Sequence, residues 1–132
     1  MRIDLKTGRA AARPVVAIAA ALLGCALTAA SGADAADRLV DCLVESGGKV
    51  EFSGKCRFFS ADTSGSFALN AADGKSRLYG EILDVSVFIV APGEAEVRGL
   101  TAHGINSRWG PAKRSAQDAA CWVGADFRIC AR

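Results

Sequence analysis

The stretch Leu83-Asp84-Val85-Ser86-Val87-Phe88-Ile89-Val90 decides the fold class. Leu83, Val85, Val87 and Ile89 share one face, and Asp84, Ser86, Phe88 and Val90 share the other. Period-two spacing of this kind marks a strand with one face buried. Pro92-Gly93 then turns the chain, and Ala95-Glu96-Val97-Arg98 runs back. A two-residue loop would set Val87 opposite Arg98 and Ile89 opposite Glu96. A three-residue loop, Ala91-Pro92-Gly93, sets Val87 opposite Val97, Ile89 opposite Ala95 and Ser86 opposite Arg98. A slip of one residue moves every side chain to the other face, so the register that keeps one face apolar is expected. Pro92 fits poorly in the middle of such a loop.

Strand signals continue on both sides. Leu39 to Val44 is apolar and partly β-branched, and Lys49-Val50-Glu51-Phe52 alternates. Ser53-Gly54 reads as a turn before Cys56-Arg57-Phe58-Phe59. Asp62-Thr63-Ser64-Gly65 reads as a polar loop, Ser66-Phe67-Ala68-Leu69 as a short strand and Asp73-Gly74 as a tight turn. Helical signals reduce to one capped turn over Ser115-Ala116-Gln117-Asp118-Ala119-Ala120. No repeat, low-complexity linker or second domain interrupts the pattern. The expected fold is all-β: a small antiparallel meander, closed or half-closed into a barrel, with two disulfides.

The N-terminus carries a different signal. Arg2, Lys6, Arg9 and Arg13 precede the apolar run from Val15 to Leu23, and small residues follow, ending in Ala33-Asp34-Ala35. A positive segment, an apolar segment and an A-x-A site together read as a secretory signal peptide over 1–35, leaving a single β-rich exported domain over 36–132. The 16 residues from Val15 to Ala30 fall short of a membrane span, which needs ~20. Leu22-Leu23-Gly24-Cys25 offers a second reading, a lipobox in which Cys25 is acylated and tethers the chain to a membrane. Periplasmic or secreted location is expected from the first reading.

Four cysteines lie beyond the signal: Cys42, Cys56, Cys121 and Cys130. An even number in a short exported chain reads as two disulfides. A turn centred between Ala125 and Asp126 makes 124/127 a hydrogen-bonded pair. It places Cys121 opposite Cys130 at a non-hydrogen-bonded pair, where backbones come closest. An odd loop centred on Lys49, beside Gly47-Gly48, would put Cys42 opposite Cys56. Cys42–Cys56 and Cys121–Cys130 are therefore the expected bridges. The spacing, with one histidine, does not match a structural zinc site.

Of 16 Lys+Arg and 14 Asp+Glu, four and two lie in residues 1–35. Twelve of each remain beyond them, so the mature domain is neutral and not a polybasic nucleic-acid binder. The charge is uneven: 36–97 holds six basic and ten acidic residues, while 98–132 holds six and two.

Three segments resemble a small exported domain of Gram-negative bacteria that has no established activity: Val44 to Phe58, Gly65-Ser66-Phe67, and Ala120-Cys121-Trp122-Val123-Gly124 leading to Arg128-Ile129-Cys130-Ala131. The likeness spans most of 40–132 and implies export and a common fold. A weaker likeness is to bacterial inhibitors of C-type lysozyme, which are small exported β-barrels that insert a Ser-Gly-x-x-Tyr-like loop into the enzyme. Asn106-Ser107-Arg108-Trp109-Gly110 is the nearest segment, and it lacks both the glycine after serine and the tyrosine. A neutral domain is also a poor match for so basic a partner.

Catalytic constellations are weak. His103 is the lone histidine, with no partner that spacing can assign, and reads as a surface or structural residue. Glu94 and Glu96 lie beside a turn and read as solubilising charges rather than a glycosidase pair. No phosphate loop, nucleophile elbow or metal-ligand cluster is present in the sequence. No catalytic residue and no cofactor is expected. Arg108-Trp109-Gly110-Pro111-Ala112-Lys113-Arg114 is the suggestive stretch, one tryptophan among cations in an expected Gly/Pro loop. An aromatic face can stack on a sugar or cation, and basic groups can hold carboxylate or phosphate. Arg108, Trp109, Lys113 and Arg114 are thus candidate ligand-binding residues, and Trp122, beside a cysteine, is a candidate core residue. The expected function is a non-catalytic envelope-binding module, with cell-wall glycan, lipopolysaccharide or a protein such as lysozyme as partner. A lysozyme inhibitor is the alternative.

Overall fold

The structure is a computed structural model and describes Ala12 and residues 37–132. The expected signal segment 1–35 and the Cys25 lipobox lie outside the described residues, apart from Ala12. Eight strands follow one another among the described residues: β1 (Arg38–Ser46), β2 (Lys49–Ser60), β3 (Phe67–Ala71), β4 (Ile82–Ala91), β5 (Glu94–Thr101), β6 (Asn106–Arg114), β7 (Cys121–Val123) and β8 (Phe127–Ala131). Each pairs antiparallel with the next, and β8 returns to β1, so the meander closes into a barrel. Closure gives every strand a neighbour on both sides, although β6 meets β7 only at Lys113 and Arg114.

The central hairpin has the expected pairing, with Ser86 opposite Arg98, Val87 opposite Val97 and Ile89 opposite Ala95. The loop differs from expectation. Ala91 pairs with Glu94, and the register shifts between Ile89 and Ala91. Pro92-Gly93 is therefore a two-residue turn, and Val90 is the bulged residue. Gly93 has φ 73°, which suits the second central position of a type II turn with proline at the first. The bulge removes the conflict that Pro92 would meet inside a longer loop.

Three other expectations are corrected. Ser53-Gly54 is not a turn, because β2 runs through it and Gly54 pairs with Cys42. The β1–β2 turn is Gly47-Gly48, followed by a bulge that shifts the register between Val44 and Glu45. The shift moves Cys56 opposite Val40, so the Cys42–Cys56 bridge crosses diagonally, with Cα atoms 5.8 Å apart, instead of linking facing residues. The stretch from Arg108 to Arg114 is not a loop but most of β6. Ser115 does cap its turn, its hydroxyl accepting the N–H groups of Gln117 and Asp118, but no helix follows.

The second bridge lies where expected, with Cys121 opposite Cys130 at a Cα separation of 4.0 Å. The Gly124 N–H donates to the Phe127 carbonyl at 2.9 Å and closes the turn. The two bridges occupy opposite sides of the wall. Cys42 and Cys56 belong to the apolar core, as do Trp122 and Ile129. Alternation along β7 and β8 then turns Cys121 and Cys130 outward, where they are buried nonetheless.

The barrel interior is filled by side chains. Val44, Leu69, Val85, Val87, Val97 and Ile129 are fully buried. Each such side chain contributes ~1.5–3 kcal/mol from burial. The alternation read in β4 holds for Val85, Val87 and Ile89, which pack on the core side, but not for Leu83. A register shift between Ile82 and Asp84 makes Leu83 the bulged residue and brings Ile82 to the core instead. Two bridges in a chain of this size fit an oxidising, exported compartment. Among the described residues, no helix is long and apolar enough to cross a membrane.

Candidate functional site

Strand β6 carries all four candidate binding residues, and the barrel sends them three ways. The cause is a bulge. Val97 pairs with Gly110 and Arg98 pairs with Arg108, so Trp109 is an extra residue. Gly110, at φ 115°, absorbs the distortion. Trp109 and Ala112 can therefore both face the core although they are three positions apart.

Trp109 is half-buried. Its ring lies against Gly99 on one side and meets Phe127 edge-to-face on another, with ring centroids 5.8 Å apart. Phe127 in turn lies against Gly124. The four residues form a stack, Gly99, Trp109, Phe127, Gly124, across the one weak seam of the barrel. There β6 and β7 pair at only two positions, Lys113 with Val123 and Arg114 with Trp122. The aromatic pair plugs what the short β7 leaves open. A glycine inside a strand is the sequence signal for such an approach, and Gly99 is that residue in β5.

Arg108 points outward and forms an ion pair with Glu96 on β5. Its Nε donates to one carboxylate oxygen and its terminal nitrogen to the other, the latter at 3.1 Å. That hydrogen bond holds the Glu96 carboxyl below its usual range and raises the Arg108 guanidinium. Lys113 is exposed and sits opposite Glu94. Between these charges lies a groove of about 280 Å³ along the seam, lined by Val90, Glu94, Glu96, Pro111, Lys113 and Val123 among others. Val90 is 66% exposed and Val123 40%, so the groove has apolar sides as well as charges of both signs. The free edge of β6 beside it carries Pro111 and the bulge, both of which discourage addition of another strand.

Arg114 goes elsewhere. It curls over the ring of buried Trp122, its guanidinium carbon 4.4 Å from the centroid, and donates to the Ala119 carbonyl at 2.6 Å. Trp122 is a core residue, as its place beside Cys121 suggested.

His103 lies on an exposed turn with its Nε2 3.3 Å from a Glu81 carboxylate oxygen. Glu94 and Glu96 both face outward on β5, Glu96 engaged by Arg108. Among the described residues, no three His, Cys, Asp or Glu side chains are grouped to hold a metal ion. Burial, with a smaller push from Glu51, raises the Tyr79 phenol to about 12. No family model, no curated protein and no solved structure matches this chain.

Proposed function

We propose that this chain is a non-catalytic interaction module of the cell envelope that binds through the outer face of β6. The observation that carries the reading is the β6–β7 groove, exposed, amphipathic and lined by Lys113, Glu94 and Glu96, with Arg108 paired to Glu96 beside it. Its residues stand on paired strands, so the surface is preorganised. Groups of both signs favour a polymer that itself carries amines and carboxylates beside sugar, as peptide-bearing cell-wall glycan does. A phosphate-rich lipid headgroup would meet Glu94 and Glu96 with like charge. Trp109 serves as the anchor beneath this surface and not as its stacking platform. The signal-like N-terminus and the two bridges support an exported setting.

The test is retention on purified cell-wall sacculi, with lipopolysaccharide micelles in parallel. Wild type should sediment with sacculi, and Arg108→Ala/Lys113→Ala should lose about tenfold in affinity while keeping its circular dichroism and both bridges. Equal retention of the folded double variant would remove the groove from the proposal. Retention by lipopolysaccharide alone would replace the partner.

A further inference from the structure

The last residue of β6, Arg114, borders a second, separate pocket. Phe58 lies near the end of β2 and Phe67 begins β3, and their rings stack at 4.9 Å. Trp122 is the middle residue of β7. These three rings, with Ala119, Ala120 and Arg114, line a cavity of about 150 Å³ at the barrel mouth. It shares no lining residue with the β6–β7 groove.

The arginines among the described residues separate into two groups. Arg57, Arg77, Arg108, Arg128 and Arg132 each pair with a carboxylate. Arg38, Arg98 and Arg114 have no carboxylate within ion-pair reach among the described residues. Two of these three stand at the mouth. Arg114 covers Trp122, and Arg38 lies 4.4 Å from the centroid of Phe58. The single side-chain hydrogen bond of Arg114, to Ala119, leaves most of its donor fork free.

We propose that this mouth binds a small carboxylate with an apolar body. A cavity of this scale takes a body of about the size of a benzene ring, and its lining of three aromatic rings and alanine methyls is mostly apolar. The guanidinium at the rim matches a carboxylate in two parallel hydrogen bonds. Arg114 is the only cation among the lining residues, while Arg38 lies over the ring of Phe58, so inorganic phosphate is the competing ligand that the test must include. The rim is fixed before any ligand arrives. The Asp62 carboxylate accepts the N–H groups of Ser64 and Ser66, and the buried Ser66 hydroxyl accepts the Ile89 N–H at 2.9 Å. On the other side, the Cys121–Cys130 bridge holds the start of β7. Such a carboxylate could be a short acyl group or the C-terminal residue of a peptide.

The experiment is a two-dimensional proton–nitrogen NMR titration of the oxidised protein. Benzoate should shift the Trp122 indole N–H, the Arg114 Nε–H and the Ala119 and Ala120 amides saturably, with Kd on the order of 1 mM. Neutral benzamide should bind at least about tenfold more weakly, and Arg114→Gln should abolish that preference. Butyrate or N-acetyl-alanyl-alanine binding at the same resonances supports the site, and the tighter of the two names its source. The site is refuted by unsaturable shifts, by equal affinity for benzoate and benzamide, by an unchanged preference in Arg114→Gln, or by a response to inorganic phosphate alone. The benzoate and benzamide comparison needs no substitution, so it decides even if Arg114→Gln fails to fold. Sacculus retention reads Arg108 and Lys113 instead, so either proposal can fail without the other.

Discussion

Gly99 lies flat against the indole of Trp109, so that a methyl group at its Cα would sit 2.9 Å from three ring atoms. The backbone of Gly99 is not in the left-handed region. The glycine is needed for space. The ring cannot retreat, because Phe127 stands behind it and Gly124 behind Phe127. This stack closes the seam that two β6–β7 pairs leave open, and it supports the groove assigned to binding.

Gly99→Ala should therefore destabilise the barrel by ~1–3 kcal/mol through overpacking. Urea unfolding at pH 7 measures the loss. Adding Trp109→Leu should recover part of it, since the smaller side chain makes room. Equal costs of Gly99→Ala in the wild-type and Trp109→Leu backgrounds would show that the ring is not the obstacle.

Gly93 tests a different property. It holds φ 73° and faces open space, with no heavy atom near the position that a methyl group would take. Gly93→Ala should cost ~1–2 kcal/mol from conformation alone, and Gly93→Asn should cost less, because asparagine tolerates this region. A Gly93→Ala protein as stable as wild type would contradict the Pro92-Gly93 turn.

The two disulfides should not be equivalent. Their loops span 14 and 9 residues, so chain entropy alone gives each ~3 kcal/mol with little difference between them. Cys42 and Cys56 also fill the core. Cys42→Ala/Cys56→Ala should lose more stability than Cys121→Ala/Cys130→Ala, because it adds the cost of an unfilled cavity. Denaturation midpoints of the two single-bridge proteins decide this, and an equal or reversed order would place the core elsewhere.

Asp84 makes the acid response of this protein two-sided. Burial raises its pKa in the fold, against a smaller opposing effect of the hydrogen bond donated by Ser86. The fold therefore prefers Asp84 protonated, and its ionisation costs stability as pH climbs past the unfolded value of ~3.9. Asp84→Asn should stabilise the protein at pH 7, by less than about 1 kcal/mol because the group is still half solvated, and the gain should shrink toward zero at pH 3. Glu45, Glu96 and Asp118 have the opposite sign. The hydrogen bond from Arg128 lowers Glu45, that from Arg108 lowers Glu96, and the Ala120 N–H with Arg132 lowers Asp118. Their contribution is present above the unfolded carboxylate pKa and is lost as pH falls through their folded values. Glu45→Gln should thus lower the urea midpoint at pH 7 and match wild type once the pH is below both values. A pH-independent difference would remove the Arg128 pair as its cause.

Much of this barrel is local, and its local parts are legible in the chain. Val87 faces Val97 because the apolar face of β4 must meet the apolar face of β5, and a short turn leaves few registers to choose from. Cys121 faces Cys130 for the same reason, since a tight turn between Ala125 and Asp126 sets every pair above it. Tertiary structure alone decided the closure of β8 onto β1, the diagonal course of Cys42–Cys56 and the fate of the binding candidates. Bulges are the cause in two of these cases. One extra residue reverses the alternation beyond it, and it forms only where a partner strand shapes the chain, so Trp109 went to the core while Arg108 and Lys113 stayed outside. Arg114 followed Trp122 to the barrel mouth because only the folded wall brings the ends of β6 and β7 together.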